Sequence, residues 1–203
     1  RFLTSIVPAD GGGFWFAYGM TRGIGIGRVW PSGRTTLRRL EGFDRLSTVA
    51  ATGADVYVAE EGCRFAHVRD FAVIASHVLN CVGYSRPSMV ETGDSAVWVL
   101  GDRSGMVERF GRDGSHRSWY VGFVPSGVAV ARNGNAYVLG RAQDPHGAGH
   151  PVIAVIAPGR KPDVRTLPMN DAGSIAIDAR DRLWISVPSW HAVAVIAPKG
   201  SAN

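Results

Sequence analysis

Five times along the chain an aromatic residue follows a short turn rich in glycine, asparagine or aspartate. Trp15 follows DGGGF, Tyr57 follows TGADV, Trp98 follows TGDSAV, Tyr137 follows RNGNA and Trp184 follows ARDRL. The aromatics stand 42, 41, 39 and 47 residues apart. A period of about 40 residues signals copies of one supersecondary unit that bury their apolar faces against each other. The turn residues adopt positive φ at low cost, as a tight hairpin requires, so each turn joins two antiparallel strands.

The rest of the unit is also repeated. Upstream of the turn lies a strand of small and β-branched residues, seen in LSTVAA, GVAVAR and SIAIDA. Downstream of the aromatic strand a loop leads to a third strand, GIGRVW, AHVRDF, MVERFG, VIAVIA or AVAVIA, and then to a second turn such as PSGR, RDGS or APGRK. A fourth segment follows in four of the five units: TTLRRLEGF, SHVLNCVGY, HRSWYVGF and DVRTLPM. Four short strands per period, without helical periodicity, predict an all-β fold: a β-propeller of five four-stranded repeats. The whole of 1–203 reads as one domain, with blades at approximately 1–44, 45–84, 85–123, 124–169 and 170–203. A β-sandwich also uses many short strands but has no reason to repeat them at fixed intervals.

A second echo marks the passage between blades. Gly42-Phe43, Gly83-Tyr84 and Gly122-Phe123 each place an aromatic fourteen residues before the strand aromatic, and Phe2 takes the corresponding place before Trp15. Such an aromatic is expected to fill the wedge between neighbouring sheets. The last unit ends at HAVAVIAPKGSAN, after its third strand. The last blade is therefore expected to lack its outer strand and to leave an open edge at Ala192 to Ala197. The reading that follows is a chain cut at a blade boundary, with residues before Arg1 closing the ring, as part of a larger propeller.

The segments GSIAIDARDRLWIS, PSGVAVARNGNAYVLG and MVERFGRDGSHRSWYVG share a pattern. A small-residue strand, an Asp/Asn/Gly turn, an aromatic followed by Val or Ile, and a second turn of DG or PxG type recur in each. The pattern resembles NHL-repeat propellers and the streptogramin (virginiamycin B) lyase group over essentially the whole chain. The resemblance implies the propeller fold, and it implies a lyase only if that group's metal-binding histidine and glutamate are present at the channel mouth. Glu60, in YVAEEG, stands where the group has a recurring glutamate. Ser126 stands where a histidine would enter a blade, and the other four strand ends lack the glutamate.

In a propeller the loops from second to third strands, and those between blades, share one face. That face is predicted to carry Tyr18, Arg22, Glu60, Glu61, Arg64, Asp102, Arg103, Arg141, Trp190 and His191, with Asp44, Arg45, Arg86, Asn170 and Asp171 from the passages between blades. The longest of these loops, GRAQDPHGAGHP, adds Asp144, His146 and His150, whose spacing suits a divalent metal. Loops on a rigid scaffold are where function concentrates. The leading expectation is a non-enzymatic, monomeric propeller that binds a protein or small ligand at this mouth, through Arg22, Glu61, Asp102, Arg103, Arg141, Trp190 and His191, without a cofactor. The alternative is a metal-dependent lyase or lactonase using Glu60 and His150 with metal at Asp144, His146 and His150.

Composition narrows the partners. The chain has 203 residues, 45% of them hydrophobic, and no apolar stretch approaches the roughly 20 residues of a membrane span. The net charge of +5 comes from scattered arginines and only two lysines, Lys161 and Lys199, with no recognition helix or stacking motif, which argues against nucleic acid. Cys63 and Cys81 fall at facing ends of a third and a fourth strand, which predicts a disulfide and, through it, an extracytoplasmic (secreted or periplasmic) location. Gly93-Asp94-Ser95 superficially resembles a nucleophile motif, but it sits in a hairpin turn with no helix after it. RGIGIGRVW has GxGxG spacing and leads into a strand, so it offers no helix N-terminus to phosphate.

Overall fold

A computed structural model describes residues 2–20, 23–79, 87–92, 96–101, 104–143 and 149–196. The chain is an all-β propeller of five antiparallel sheets, each built from consecutive strands. The first sheet comprises β1 (Phe2–Pro8), β2 (Phe14–Met20), β3 (Gly23–Val29) and β4 (Thr35–Arg39). The second comprises β5 (Leu46–Thr52), β6 (Asp55–Glu60), β7 (Arg64–Arg69) and β8 (Ala72–Val78). The third holds β9 (Ser88–Thr92), β10 (Ala96–Leu100), β11 (Met106–Gly111) and β12 (His116–Tyr120). The fourth holds β13 (Val124–Val130), β14 (Ala136–Gln143), β15 (Gly149–Ile156) and β16 (Asp163–Thr166). The fifth has three strands, β17 (Ile175–Ile177), β18 (Leu183–Val187) and β19 (Ala192–Ile196), with a single 3-10 turn, Pro188–Trp190, between the last two.

The first strands stand side by side, β1 against β5, β5 against β9, β9 against β13 and β13 against β17. Small side chains permit this approach, and polar ties cross it. The Ser5 hydroxyl accepts from the Val49 amide at 3.2 Å, and the Ser47 hydroxyl donates to the Pro87 carbonyl at 3.1 Å. Among the described residues no comparable contact returns from β17 to β1. In the first and last sheets apolar side chains stay exposed: Leu3 and Ile6 on β1, Val193 and Val195 on β19. β19 is the edge of its sheet. No helix among the described residues is long and apolar enough to cross a membrane.

The second strands are the buried layer. β6 and β10 are buried along their whole length, and β14 over its first five residues. Phe43 packs into the core between the first two sheets and Phe123 into that between the third and fourth, as the wedge argument expects. Gly42 and Gly122 before them both have φ of +77°, so the glycine of each pair turns the chain into the next blade. Tyr84 and its glycine lie outside the described residues, and Phe2 pairs through its backbone with Gly19. The second and third sheets are joined by an aromatic column in which Phe65 stacks on Phe110 at 4.1 Å and Phe110 on His116 at 4.5 Å.

One turn differs from its sequence signal. The link between β7 and β8 is the pair Asp70-Phe71, both at positive φ (+50° and +63°), without the glycine that marks the other blades. Phe71 accepts this conformation while its ring packs on Trp15 of the first sheet, centroids 5.1 Å apart. Packing between blades here prevails over local turn preference.

Candidate functional site

The mouth is assembled where second strands end and third strands begin. Glu60 ends β6 and is 5% exposed. Its Oε2 accepts the Asp44 backbone amide at 3.1 Å, and its Oε1 lies 3.2 Å from Arg64 Nε. The Arg64 guanidinium in turn covers the Phe43 ring, 4.9 Å from its centroid. Glu61 closes the same corner, its amide donating to the Arg45 carbonyl at 2.9 Å and its carboxylate meeting Arg45 Nη1 at 3.5 Å. The side chain that the resemblance singles out is thus committed to the joint between the first and second blades.

In the GRAQDPHGAGHP segment residues 140–143 and 149–151 are paired strand, where the sequence suggests a loop; 144–148 lie outside the described residues. β14 and β15 stay paired through Arg141↔Pro151, Ala142↔His150 and Gln143↔Gly149, further past the aromatic than in the second, third and fifth blades and one pair further than in the first, which reaches Met20↔Gly23. Arg141 and Gln143 share one face of this extension and His150, opposite Ala142, takes the other. The Arg141 guanidinium donates through Nη2 to the Gly149 carbonyl, which braces the hairpin across its width. Arg141 and Gln143 also line a cleft of about 190 Å³ between the third and fourth blades, with Ser104, Tyr120 and Phe123. Tyr120, 68% exposed at the end of an outer strand, has no local motif that marks it as a mouth residue in the sequence.

The fifth blade presents a different surface. The Asp171 carboxylate accepts both the Ser189 amide, at 2.9 Å, and the Ser189 hydroxyl, at 2.6 Å. Those two bonds hold the 3-10 turn Pro188–Trp190, and His191 follows in the left-handed region at φ +49°. Trp190 is 53% exposed, and His191 borders a shallow groove of about 550 Å³ along β18 and β19. The mouth therefore offers three separate described patches: Glu60–Arg64, Arg141–Tyr120 and Trp190–His191.

Arg22, Arg86, Asp102, Arg103, Asp144 and His146, all expected at this face, lie outside the described residues, as do Cys81 and residues 93–95. Of the three nominated metal ligands only His150 is described. Among the described residues no three His, Cys, Asp or Glu side chains cluster at metal-binding range. Among the described residues of the mouth, Arg141 stands beside uncharged Tyr120 and Gln143, while the carboxylates of Glu60, Glu61 and Asp171 already have partners.

No protein-family model matches the chain, and no curated protein matches it by sequence. Solved structures do match. Virginiamycin B lyase from Staphylococcus aureus superposes with a TM-score of 0.71 at 14% identity, over 98% of this chain and 71% of the lyase. BBS1N in complex with ARL6DN gives 0.69 at 13% identity, over 99% of this chain and 64% of that one. YCF48 bound to D1 peptide gives 0.61 at 16% identity, over 99% and 64%. At these identities the likeness is one of fold: the chain is a streptogramin lyase-like β-propeller in architecture.

Proposed function

We propose that residues 1–203 form one non-enzymatic propeller domain, monomeric, that binds a protein or a small ligand at the loop-bearing mouth. The observation that carries this reading is the state of Glu60. A general base or metal ligand needs lone pairs turned toward the substrate, whereas both Glu60 oxygens are turned into the blade joint. Arg141, Tyr120, Trp190 and His191 supply what recognition surfaces use: aromatic area and a planar cation on a rigid frame. Two structural neighbours are complexes with protein or peptide partners, ARL6DN and D1 peptide, which favours the same use here.

The competing reading is a metal-dependent lyase or lactonase with Asp144, His146 and His150 as ligands and Glu60 beside them, favoured by the likeness to virginiamycin B lyase. The two are separated by incubating the protein with virginiamycin B and magnesium, following ring opening by mass spectrometry, and measuring bound metal in the same sample. The binding reading expects intact antibiotic. Turnover that disappears in His150→Ala, together with stoichiometric metal, overturns it. A photo-crosslinker at position 190 is expected to capture a partner from the native extract, whereas one at Arg34, in the turn at the opposite end, is not.

We also infer a Cys63–Cys81 disulfide and with it an extracytoplasmic location. The Leu79 amide donates to the Cys63 carbonyl at 2.8 Å, which brings the end of β8 onto Cys63 two residues before Cys81. Cys63 is 7% exposed, and no free cysteine occurs among the described residues. Thiol titration in denaturant is expected to find no reactive thiol before reduction; finding both cysteines reactive removes the inference.

A further inference from the structure

At the end of the propeller opposite the mouth, the third and fourth blades part around a cavity of about 370 Å³. Its wall is a row of cross-strand neighbours, Trp98 on β10, Arg109 on β11 and Arg117 on β12, which face the fourth blade. Trp119, two residues beyond Arg117 and therefore on the same face, stacks on Trp98 with centroids 5.4 Å apart and planes 16° apart. Ile156 and Pro158 form the opposite wall. Trp98 is 3% exposed, and its indole Nε1 has no hydrogen-bond partner. A buried donor left unpaired is costly, so the indole is held here by its packing on Trp119 and the cavity wall.

The equivalent rows in the other sheets are built differently. In the first sheet the row is Trp15, Arg28 and Thr36. Trp15 Nε1 is also unpaired, yet Phe71 lies on that indole and the Arg28 guanidinium sits 5.2 Å from its centroid, so the place is filled. The second and fourth sheets have Tyr57, His67 and Ala75, and Tyr137, Val155 and Asp163. The fifth has Trp184 and Val195, and among the described residues a cavity, a stacked indole pair and two arginines coincide only in the third. Its positive character extends outward, because Arg117 and Trp119 also line an adjoining groove with Arg160 and Lys161. Among the described lining residues Asp113 is the one carboxylate, and its pKa is lowered from the ordinary value because Ser115 hydrogen-bonds it and Arg109 stands near.

The geometry points to a binding site here for a flat, single-ring aromatic carboxylate. The ring would lie along the Trp119 indole, itself stacked on Trp98, and the carboxylate would meet the guanidinium groups. The volume is near the lower end for ligand pockets, which fits one ring and not a polymer. This site is remote from the mouth and does not depend on what binds there.

The test follows the six tryptophan indole N–H resonances of the full chain by 15N NMR during titration with benzoate, with Trp98 assigned from Trp98→Phe. A saturable shift of the Trp98 indole is expected, with Kd in the millimolar range or tighter for so small a probe. Benzyl alcohol, which lacks the charge, and cyclohexanecarboxylate, which lacks the flat ring, are each expected to bind at least about fivefold more weakly. Arg117→Ala, at an exposed position, is expected to fold and to weaken benzoate by a similar factor; Ala157→Leu, which fills the cavity from the other blade, is expected to abolish the shift. The proposal is overturned if benzoate leaves the Trp98 indole unmoved at about 10 mM, if benzyl alcohol shifts it equally, or if Arg117→Ala binds as the parent does.

Discussion

Arg112, in the turn after β11 of the third blade, donates through Nε to Asp55 Oδ2 of the second blade at 2.8 Å, across 57 residues of sequence. Asp55 is fully buried, and its other oxygen accepts from His67 Nε2 and Arg69 Nε, both at 2.7 Å. One carboxylate thereby fastens β6, β7 and the neighbouring blade. Asp55→Asn removes the charge and leaves two guanidinium groups facing an amide, at an expected cost of about 2 to 3 kcal/mol. Arg112→Ala, with a side chain about half exposed, is expected to cost about 1 kcal/mol. Urea unfolding of the two variants and the parent checks both values.

The same carboxylate gives stability an acid limb. Burial pushes the Asp55 pKa upward, but hydrogen bonds from Arg69, His67 and Arg112 prevail and bring it from 3.8 to about 2. The folded form thus holds its proton less readily than the unfolded chain. The contribution is complete above the unfolded value, near pH 4, and fades as pH falls through about 2. A shift of this size corresponds to about 2 kcal/mol. The stability gap between the parent and Asp55→Asn is expected to be widest above about pH 5 and to narrow as pH is lowered; a gap independent of pH would contradict this account.

Glu60 is expected to behave as a structural residue. Glu60→Ala leaves the Asp44 amide without its acceptor and Arg64 without its counter-ion, for a loss of about 2 kcal/mol. Glu60→Gln can still accept from Asp44 and is expected to cost about 1 kcal/mol. Chemical denaturation distinguishes the two, and amide exchange at Asp44 is expected to rise in the alanine variant alone.

The repeat made the fold legible, because strand patterning agrees in every unit and turn chemistry everywhere but at the link between β7 and β8, and nothing else explains an aromatic returning at blade intervals. Local pattern could not show that Asp70-Phe71 turns the chain without glycine, since the reason is the Trp15 ring one blade away. It also could not show that residues 140–143 and 149–151 continue as strand, since the pairing that extends them depends on register and not on composition. The site was less legible still. Glu60 stands where a catalytic glutamate would be expected, and only its partners reveal a joint; Tyr120 and Trp98 look like ordinary strand aromatics until the gap between blades is seen.

Asp171 positions the fifth blade's contribution to the mouth without bearing on the core. In Asp171→Ala the Ser189 amide loses its acceptor, so its hydrogen exchange is expected to quicken by about tenfold. Global stability is expected to change by no more than about 0.5 kcal/mol, as for other exposed polar contacts. Exchange measured by NMR, alongside urea unfolding, reads both quantities in one preparation.

Gly140 is the sharpest test of how the blades meet. A Cβ at this position would lie 2.2 Å from the Val124 carbonyl oxygen and 2.4 Å from Phe123 Cδ2, the aromatic that fills the wedge into the fourth blade. The carbonyl belongs to β13, the strand paired with Gly140, so it cannot swing aside without breaking the sheet. Gly140→Ala is therefore expected to destabilise by about 2 to 3 kcal/mol, although alanine is ordinarily the better strand residue. Gly114→Ala, where nothing lies within 4 Å but φ is +83°, is expected to cost only about 1 kcal/mol, from backbone strain alone. Equal losses in the two variants would mean that the close approach at Gly140 does not govern the joint.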